Sequence, residues 1–312
     1  MKPLPATVAA LVAGGKPKLA ACLSALETAP EHPDLVGLLE AAWAAPRGLA
    51  IGLTGPPGVG KSSLCNALVA AYRRRGTTVA VVAVDPSSRR SGGALLGDRA
   101  RIEADPEDRG VFIRSMAARR RLGGLADLTF PAVVLLRACF DRVIVETVGV
   151  GQSETEIADC ADLVVLCIQP GAGDGLQFLK AGVVEAPDVF LVTKSDLGAL
   201  SRRTLADLRG ALSVTSGAPP VLVPVSALSG EGIEAAVEAV ESRLKVGSDA
   251  DLIARRTAQG RAWAESRIGE SVGSIGLAAL QNRLDARQPP FANVSAVIRR
   301  VREAVDQAIK NL

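Results

Sequence analysis

The run Gly55-Pro56-Pro57-Gly58-Val59-Gly60-Lys61-Ser62 spells G-x-x-x-x-G-K-[ST], a spacing suited to holding a chain of phosphates. It follows an apolar run ending at Thr54 and opens a helical segment at Ser63, the strand-loop-helix context this P-loop motif needs. Glycines let the backbone wind so that successive N–H groups, from Gly58 and Val59 through Gly60 to Ser62 and Ser63, face the β-phosphate. The helix N-terminus adds partial positive charge there. Lys61 is expected to reach the β- and γ-phosphates, and the Ser62 hydroxyl to ligate magnesium.

Two carboxylates close apolar runs further on, Asp85 and Glu146. At the carboxyl ends of parallel strands both would face the ligand crevice and hold magnesium directly or through water. An acid that caps the following turn is the alternative for each. Gly149 would let the backbone approach the γ-phosphate, so that Val148 to Glu154 orders or relaxes as that phosphate comes and goes. Thr193-Lys194-Ser195-Asp196 would select the base. A carboxylate such as Asp196 accepts from both N1–H and the exocyclic amine of guanine, which adenine does not offer, while the Lys194 stem covers the ring. Ser226-Ala227, followed by Leu228, would lend a backbone N–H to guanine O6. The order of these motifs favours GTP over ATP.

The elements that must position these residues are legible as strand-like apolar runs: Leu49 to Thr54, Val79 to Val84, Val111 to Ser115, Val143 to Thr147, Leu163 to Ile168, Val189 to Thr193 and Val221 to Val225. Helical segments fit between most of them, which indicates an α/β fold: three layers around a mostly parallel central sheet, a P-loop NTPase, flanked by helical N- and C-terminal extensions. The expected organisation is an N-terminal helical extension at 1–45, a nucleotide-binding domain at 46–245 and a C-terminal helical extension at 246–312. From Asn293, the set Val294, Val297, Ile298, Val301, Val305 and Ile309 keeps helical spacing and gives one apolar stripe. That stripe packs on its own domain or serves as a dimer or partner interface.

Composition bounds the rest. The 312 residues carry 36 basic and 33 acidic side chains, net +3, too balanced to argue for a nucleic-acid or membrane partner. Arg73-Arg74-Arg75 is read as a solvated helix end. Cys22, Cys65, Cys139, Cys160 and Cys167 form no CxxC and suit reduced thiols. The single histidine, His32, is read as a surface residue, so histidine-based acid–base or metal chemistry lacks its residues. No unbroken stretch of 18 apolar residues occurs, and the expectation is a soluble cytoplasmic chain.

The run Asp85 to Arg99 (DPSSRRSGGALLGDR) resembles the MeaB/ArgK family, the GTPases associated with methylmalonyl-CoA mutase. Further matches are Phe112 to Met116, Leu122 to Leu125, Glu146 to Glu154, Pro170 to Asp174 and Ser226 to Leu228, so the resemblance spans nearly the whole chain. It implies a GTP-hydrolysing chaperone that docks on an adenosylcobalamin-dependent acyl-CoA mutase, gates cofactor delivery and protects the mutase. It implies a homodimer formed through the helical ends. It implies that Asp98 joins Ser62, Asp85 and Glu146 around Mg2+, with Lys61, Asp98 and Glu146 serving catalysis on bound GTP, and that Gly171 to Gln177 is a mobile coupling loop. The chain departs from the family pattern at Thr193, which stands for asparagine and is expected to loosen the P-loop contact. It departs again at Ala118 and Arg120, and at Gly175. Arg119 matches the family's arginine. Two other readings share the core layout: a nickel-type metallochaperone GTPase, disfavoured by dispersed cysteines, and a kinase of a periplasmic amino-acid transport protein, disfavoured because no acceptor site is identifiable.

Overall fold

The computed structural model describes residues 3–86, 105–118, 128–147, 149, 156–171, 187–213, 220–280 and 289–310. Its elements in chain order are α1 (Val8–Thr28), α2 (Pro33–Ala44), β1 (Leu49–Thr54), α3 (Lys61–Arg74), β2 (Val79–Pro86), β3 (Val111–Ala118), α4 (Thr129–Cys139), β4 (Arg142–Glu146), β5 (Leu163–Ile168), β6 (Val189–Val192), α5 (Ala199–Leu212), β7 (Val221–Pro224), α6 (Ile233–Leu244), α7 (Asp249–Leu280) and α8 (Pro290–Lys310). They form two compact units.

The first unit, Gly48–Thr129 with Phe140–Gly247, holds one seven-stranded sheet in the order β3-β2-β4-β1-β5-β6-β7. Every pairing is parallel. Period-two alternation decides which helices cover which face. Val165, Cys167, Val189 and Leu191 point to the side of α3 and α6, where Leu64, Leu68, Ile233 and Val237 meet them. Their neighbours Leu166, Ile168, Phe190 and Val192 point the other way, onto Leu205, Leu208 and Leu212 of α5. Strands buried on both faces are therefore near-continuous in Val, Ile and Leu, and each such side chain contributes about 1.5–3 kcal/mol on burial. The chain runs outward from β1 to β2 and β3, returns to β4, then continues to β5 on the other side. That reversal places a crevice at the carboxyl end of β1.

Two strands outrun their apolar cores. β2 continues through Asp85 and Pro86, and β3 through Ala118, because the β2–β3 register persists to Asp85↔Ala117 and Pro86↔Ala118. Backbone pairing does not require the side chains there to be apolar. The arginines close α3 at the surface, with Arg74 and Arg75 exposed, and each also finds a carboxylate. Arg73 donates from Nε and Nη2 to the two Asp108 oxygens at 2.8 and 2.9 Å, and Arg74 and Arg75 both bind Glu234 of α6.

The second unit comprises Met1–Arg47, Phe130–Cys139 and Ser248–Leu312. The terminal segments thus share a core, and most of α4 belongs with them. Its centre is aromatic: Phe130 stacks on Trp263 and Phe291 with centroids 5.5 and 6.1 Å apart, and Trp43 meets Phe130 at 5.8 Å. Beside it Val294 and Ile298 of α8 pack on Ala264 and Ile268 of α7. Val305, further along the same stripe, is half exposed. His32 caps α2, its Nδ1 accepting the Asp34 N–H at 3.3 Å. Helix α1 is long and apolar enough to cross a membrane by length and composition, since its alanines, leucines and valines keep the average hydropathy up without an unbroken apolar run. It is broken at Gly15, carries Lys16, Pro17 and Lys18, and buries Leu11, Leu19, Cys22, Leu23 and Leu26.

Candidate functional site

The loop after β1 needs backbone that ordinary residues resist. Gly58 and Gly60 sit at φ 75° and 98°, and a Cβ at either would point into open space, so conformation rather than crowding demands glycine. Gly60 is the N-cap of α3, and its carbonyl accepts the Leu64 N–H at 2.9 Å. The loop therefore ends on a helix N-terminus of 14 residues, whose leading N–H groups are available to an anion. Lys61 folds back over this loop and is largely buried, its Nζ donating to Gly55 O at 2.6 Å and Pro56 O at 3.1 Å. An ammonium held among loop carbonyls is placed to exchange them for phosphate oxygens. Gly149 (φ 82°) comes so close that a Cβ there would collide with Gly55 O and Lys61 Nζ.

Glu146 is delivered by register. It ends β4 opposite Leu53 of β1, one residue before Thr54 and the loop. The Ser62 hydroxyl donates to Glu146 Oε1 at 2.6 Å, so the first turn of α3 and the end of β4 present a hydroxyl and a carboxylate together. Behind them the hydroxyls of Thr54 and Thr147 are bonded at 3.0 Å in the core. Sequence reading passed over these two threonines; a β-hydroxyl at the end of each of two adjacent apolar runs is the signal. Beneath the loop, Cys65 and Cys167 are fully buried; burial pushes the Cys167 thiol up to about 12 and the Cys65 thiol well above its ordinary value. Both are neutral packing groups. Asp85 lies in register at the carboxyl end of β2. Asp98, Arg120 and Gly175, and the stretches 87–99 and 172–177, lie outside the described residues.

The base motif lies beside the loop. Thr193 is buried, and its Oγ1 lies 2.8 Å from Val59 O and 3.3 Å from Ile168 O, within donating reach of both. Threonine thus reaches the P-loop directly, at Val59 O. Lys194 adopts φ 53° and ψ 43°, the one non-glycine residue at positive φ among the described residues. Such a conformation costs about 1 kcal/mol or more and persists only where its surroundings enforce it. Its Nζ donates to Gly58 O at 3.0 Å and to Gln169 Oε1 at 2.9 Å. Asp196 Oδ1 accepts the Ser226 hydroxyl at 2.6 Å. The Ser226 N–H is taken by Glu231 O at 2.9 Å, which leaves Ala227 as the backbone donor the sequence placed here. Glu231 also accepts from Ser195 Oγ at 3.2 Å, joining the two base-site loops. Leu228 stands almost fully exposed above them. The structure thus brings Gly58, Val59, Gly60, Lys61, Ser62, Glu146, Gly149, Thr193, Lys194, Asp196 and Ser226 to the carboxyl ends of neighbouring strands, linked by the contacts above, with Ser63, Ala227 and Leu228 adjoining in the chain.

A parallel sheet in this order, with a G-x-x-x-x-G-K-S loop at its reversal point, defines a P-loop nucleoside triphosphatase. A family model described as methylmalonyl Co-A mutase-associated GTPase MeaB matches residues 24–279, and the chain belongs to that family. A relative from Pyrococcus horikoshii, named as a GTPase, is 38% identical over 255 residues, 80% of this chain and 78% of its own. The methylmalonic aciduria type A homolog, mitochondrial, of Mus musculus is 37% identical over 230 residues, covering 71% of this chain and 55% of the mouse protein. A solved structure described as an LAO/AO transport system kinase is similar over 94% of this chain and 96% of its own, with 26% identity and a TM-score of 0.63. The chain is accordingly a GTPase that binds guanine nucleotides.

Proposed function

We propose that this GTPase is a nucleotide-switched chaperone that docks on an adenosylcobalamin-dependent acyl-CoA mutase, gates delivery of the cofactor and protects the mutase from inactivation. The match to the MeaB family over residues 24–279 carries this reading, and the name of the mouse relative supports it. Two copies associate through the C-terminal extension, whose stripe leaves Val305 half exposed beyond buried Val294 and Ile298. Its free thiols suit a reducing compartment, and we place it in the cytoplasm.

The residues fit a magnesium ion. Ser62 Oγ and Glu146 Oε1 are hard oxygen donors already 2.6 Å apart, and Asp85 at the end of β2 and Asp98 would complete the set. When bound, the ion neutralises charge on the β- and γ-phosphates. The protein's own part is positioning. Backbone N–H groups of Gly58 to Ser63 hold the β-phosphate, and Lys61 exchanges Gly55 O and Pro56 O for phosphate oxygens. Gly149, packed against both Gly55 and Lys61, registers the γ-phosphate, and the stretch Val148 to Glu154 orders or relaxes as that phosphate comes and goes. Asp196 accepts from guanine N1–H and the exocyclic amine, and Ala227 N–H donates to O6.

Calorimetric titration checks the base site: GTP binds at least tenfold tighter than ATP, about 1.4 kcal/mol. Equal affinities would remove Asp196 from its role. For the partner, an adenosylcobalamin-dependent acyl-CoA mutase is expected to be retained on the immobilised chain to different extents with GTP and with GDP. Retention indifferent to nucleotide, or none, refutes the chaperone reading.

A further inference from the structure

Strand register delivers a side chain to the base site that the guanine motifs do not include. β5 and β6 pair through Ile168↔Val192, so Gln169 and Thr193 are the next residues out of the sheet, and Lys194 lies one beyond. The Thr193 N–H donates to Ile168 O at 2.8 Å, which holds these two exits together. At this point Gln169 Oε1 accepts from Lys194 Nζ at 2.9 Å, while Gly58 O accepts from the same ammonium at 3.0 Å. Lysine has only donors, so the amide must face it through its oxygen. The two acceptors come from different elements, the P-loop and the end of β5. With the Lys194 backbone fixed in the left-handed region and its Nζ held at two points, the four-carbon stem between them has little freedom left.

We propose that Gln169 is a positioning residue for guanine nucleotide binding: it holds Lys194 extended beside the P-loop so that its stem is in place to cover the base before nucleotide arrives. The proposal rests on the reading of Lys194 and Asp196 as base-site residues. Without the second acceptor the ammonium keeps only Gly58 O, and a long exposed side chain regains rotamers that nucleotide must then freeze. Gln169 acts on the base end of the ligand, so GDP and GTP lose affinity alike.

The test is calorimetric titration of the full chain with GDP and GTP, with thermal unfolding of each variant alongside. Gln169→Ala and the near-isosteric Gln169→Met are expected to weaken both nucleotides by one common factor of about tenfold, the scale of an exposed hydrogen bond to a charged group. Gln169→Glu restores an acceptor and is expected to stay within about threefold of the native chain. In a Lys194→Ala background, Gln169→Ala is expected to add nothing, a coupling that a merely structural role would not produce. Unchanged affinity in both the Ala and Met variants, or effects that add in the double variant, overturns the proposal if Asp196→Asn still loses GTP. If Asp196→Asn keeps native GTP affinity, the base-site reading fails and the proposal falls with it.

Discussion

At the scale of single residues, the site works by holding side chains on protein groups that the ligand will replace or join. Lys61 is the plainest case, since its ammonium rests on Gly55 O and Pro56 O inside the loop that holds the phosphates. Lys61→Ala removes the ammonium held there, and kcat for GTP hydrolysis is expected to fall by about a hundredfold or more, with weaker nucleotide binding. Turnover at the native rate would falsify the assignment of the loop. Thr193 shows how a departure from a family pattern is absorbed. Its hydroxyl reaches Val59 O, so the base motif and P-loop remain joined by a shorter side chain. Thr193→Val keeps the shape and deletes that bond inside a buried site. Denaturant unfolding is expected to show a loss of about 1–3 kcal/mol, together with reduced GTP affinity. A variant as stable and as tight-binding as the native chain would show that the contact is idle.

At the scale of elements, the sheet is clamped to its helices by charge as well as by packing. Arg142, opening β4, donates from Nε and Nη2 to the Glu241 carboxylate of α6 at 2.8 and 2.5 Å. Burial pushes the Glu241 carboxyl up, but the hydrogen bonds and charge of Arg142 outweigh it and hold the group below the ordinary carboxylate value. Tyr72 of α3, buried beside them, has its hydroxyl pushed upward by burial and by the Glu241 charge. The sign follows from the lowered folded value. The pair's stability is present above the unfolded carboxylate's pKa, about 4.3, and is lost as pH falls through the lower folded one. Urea unfolding between about pH 3 and pH 6 is therefore expected to show a shallower acid loss of stability for Glu241→Gln than for the native chain. Parallel pH profiles would mean that the pair is not linked to folding. At one edge of the sheet, β7 begins after Pro220 and ends at Pro224, residues that cannot donate to a further strand.

For the whole molecule, the interleaving of the two units matters most. The chain passes between them at Arg47, at Thr129, at Cys139 and at Gly247. Both tryptophans, Trp43 and Trp263, lie in the aromatic cluster of the helical unit, whereas every residue assigned to nucleotide lies in the sheet unit. Phe130, at the centre of that cluster, lies in α4, within the segment joining β3 to β4, so the cluster anchors the tether between two strands of the sheet. Tryptophan emission and far-ultraviolet dichroism are thus expected to give one coincident unfolding transition. Saturating GTP is expected to move both probes upward together, by about 2.7 kcal/mol at a hundredfold excess over Kd. A tryptophan transition indifferent to GTP would separate the units thermodynamically.

The sequence by itself determined the elements and the class. Seven apolar runs became seven strands, because a strand buried on both faces has no solvent side to interrupt its Val, Ile and Leu. The P-loop was legible because Gly58 and Gly60 must reach positive φ and Lys61 must follow at a fixed distance along one chain. Such local constraints leave local signatures. What only the tertiary structure decided is non-local: strand order, which set Glu146 against Ser62 across 84 residues; the threonine joint between the base motif and Val59; and the grip of Gln169 on Lys194. The same holds for the placing of α4 with the chain ends and for the pairing of Arg73, Arg74 and Arg75 with Asp108 and Glu234. A hydrogen bond between residues far apart in the chain needs only a donor and an acceptor at the right separation. Nothing in the sequence marks that separation until the sheet has formed.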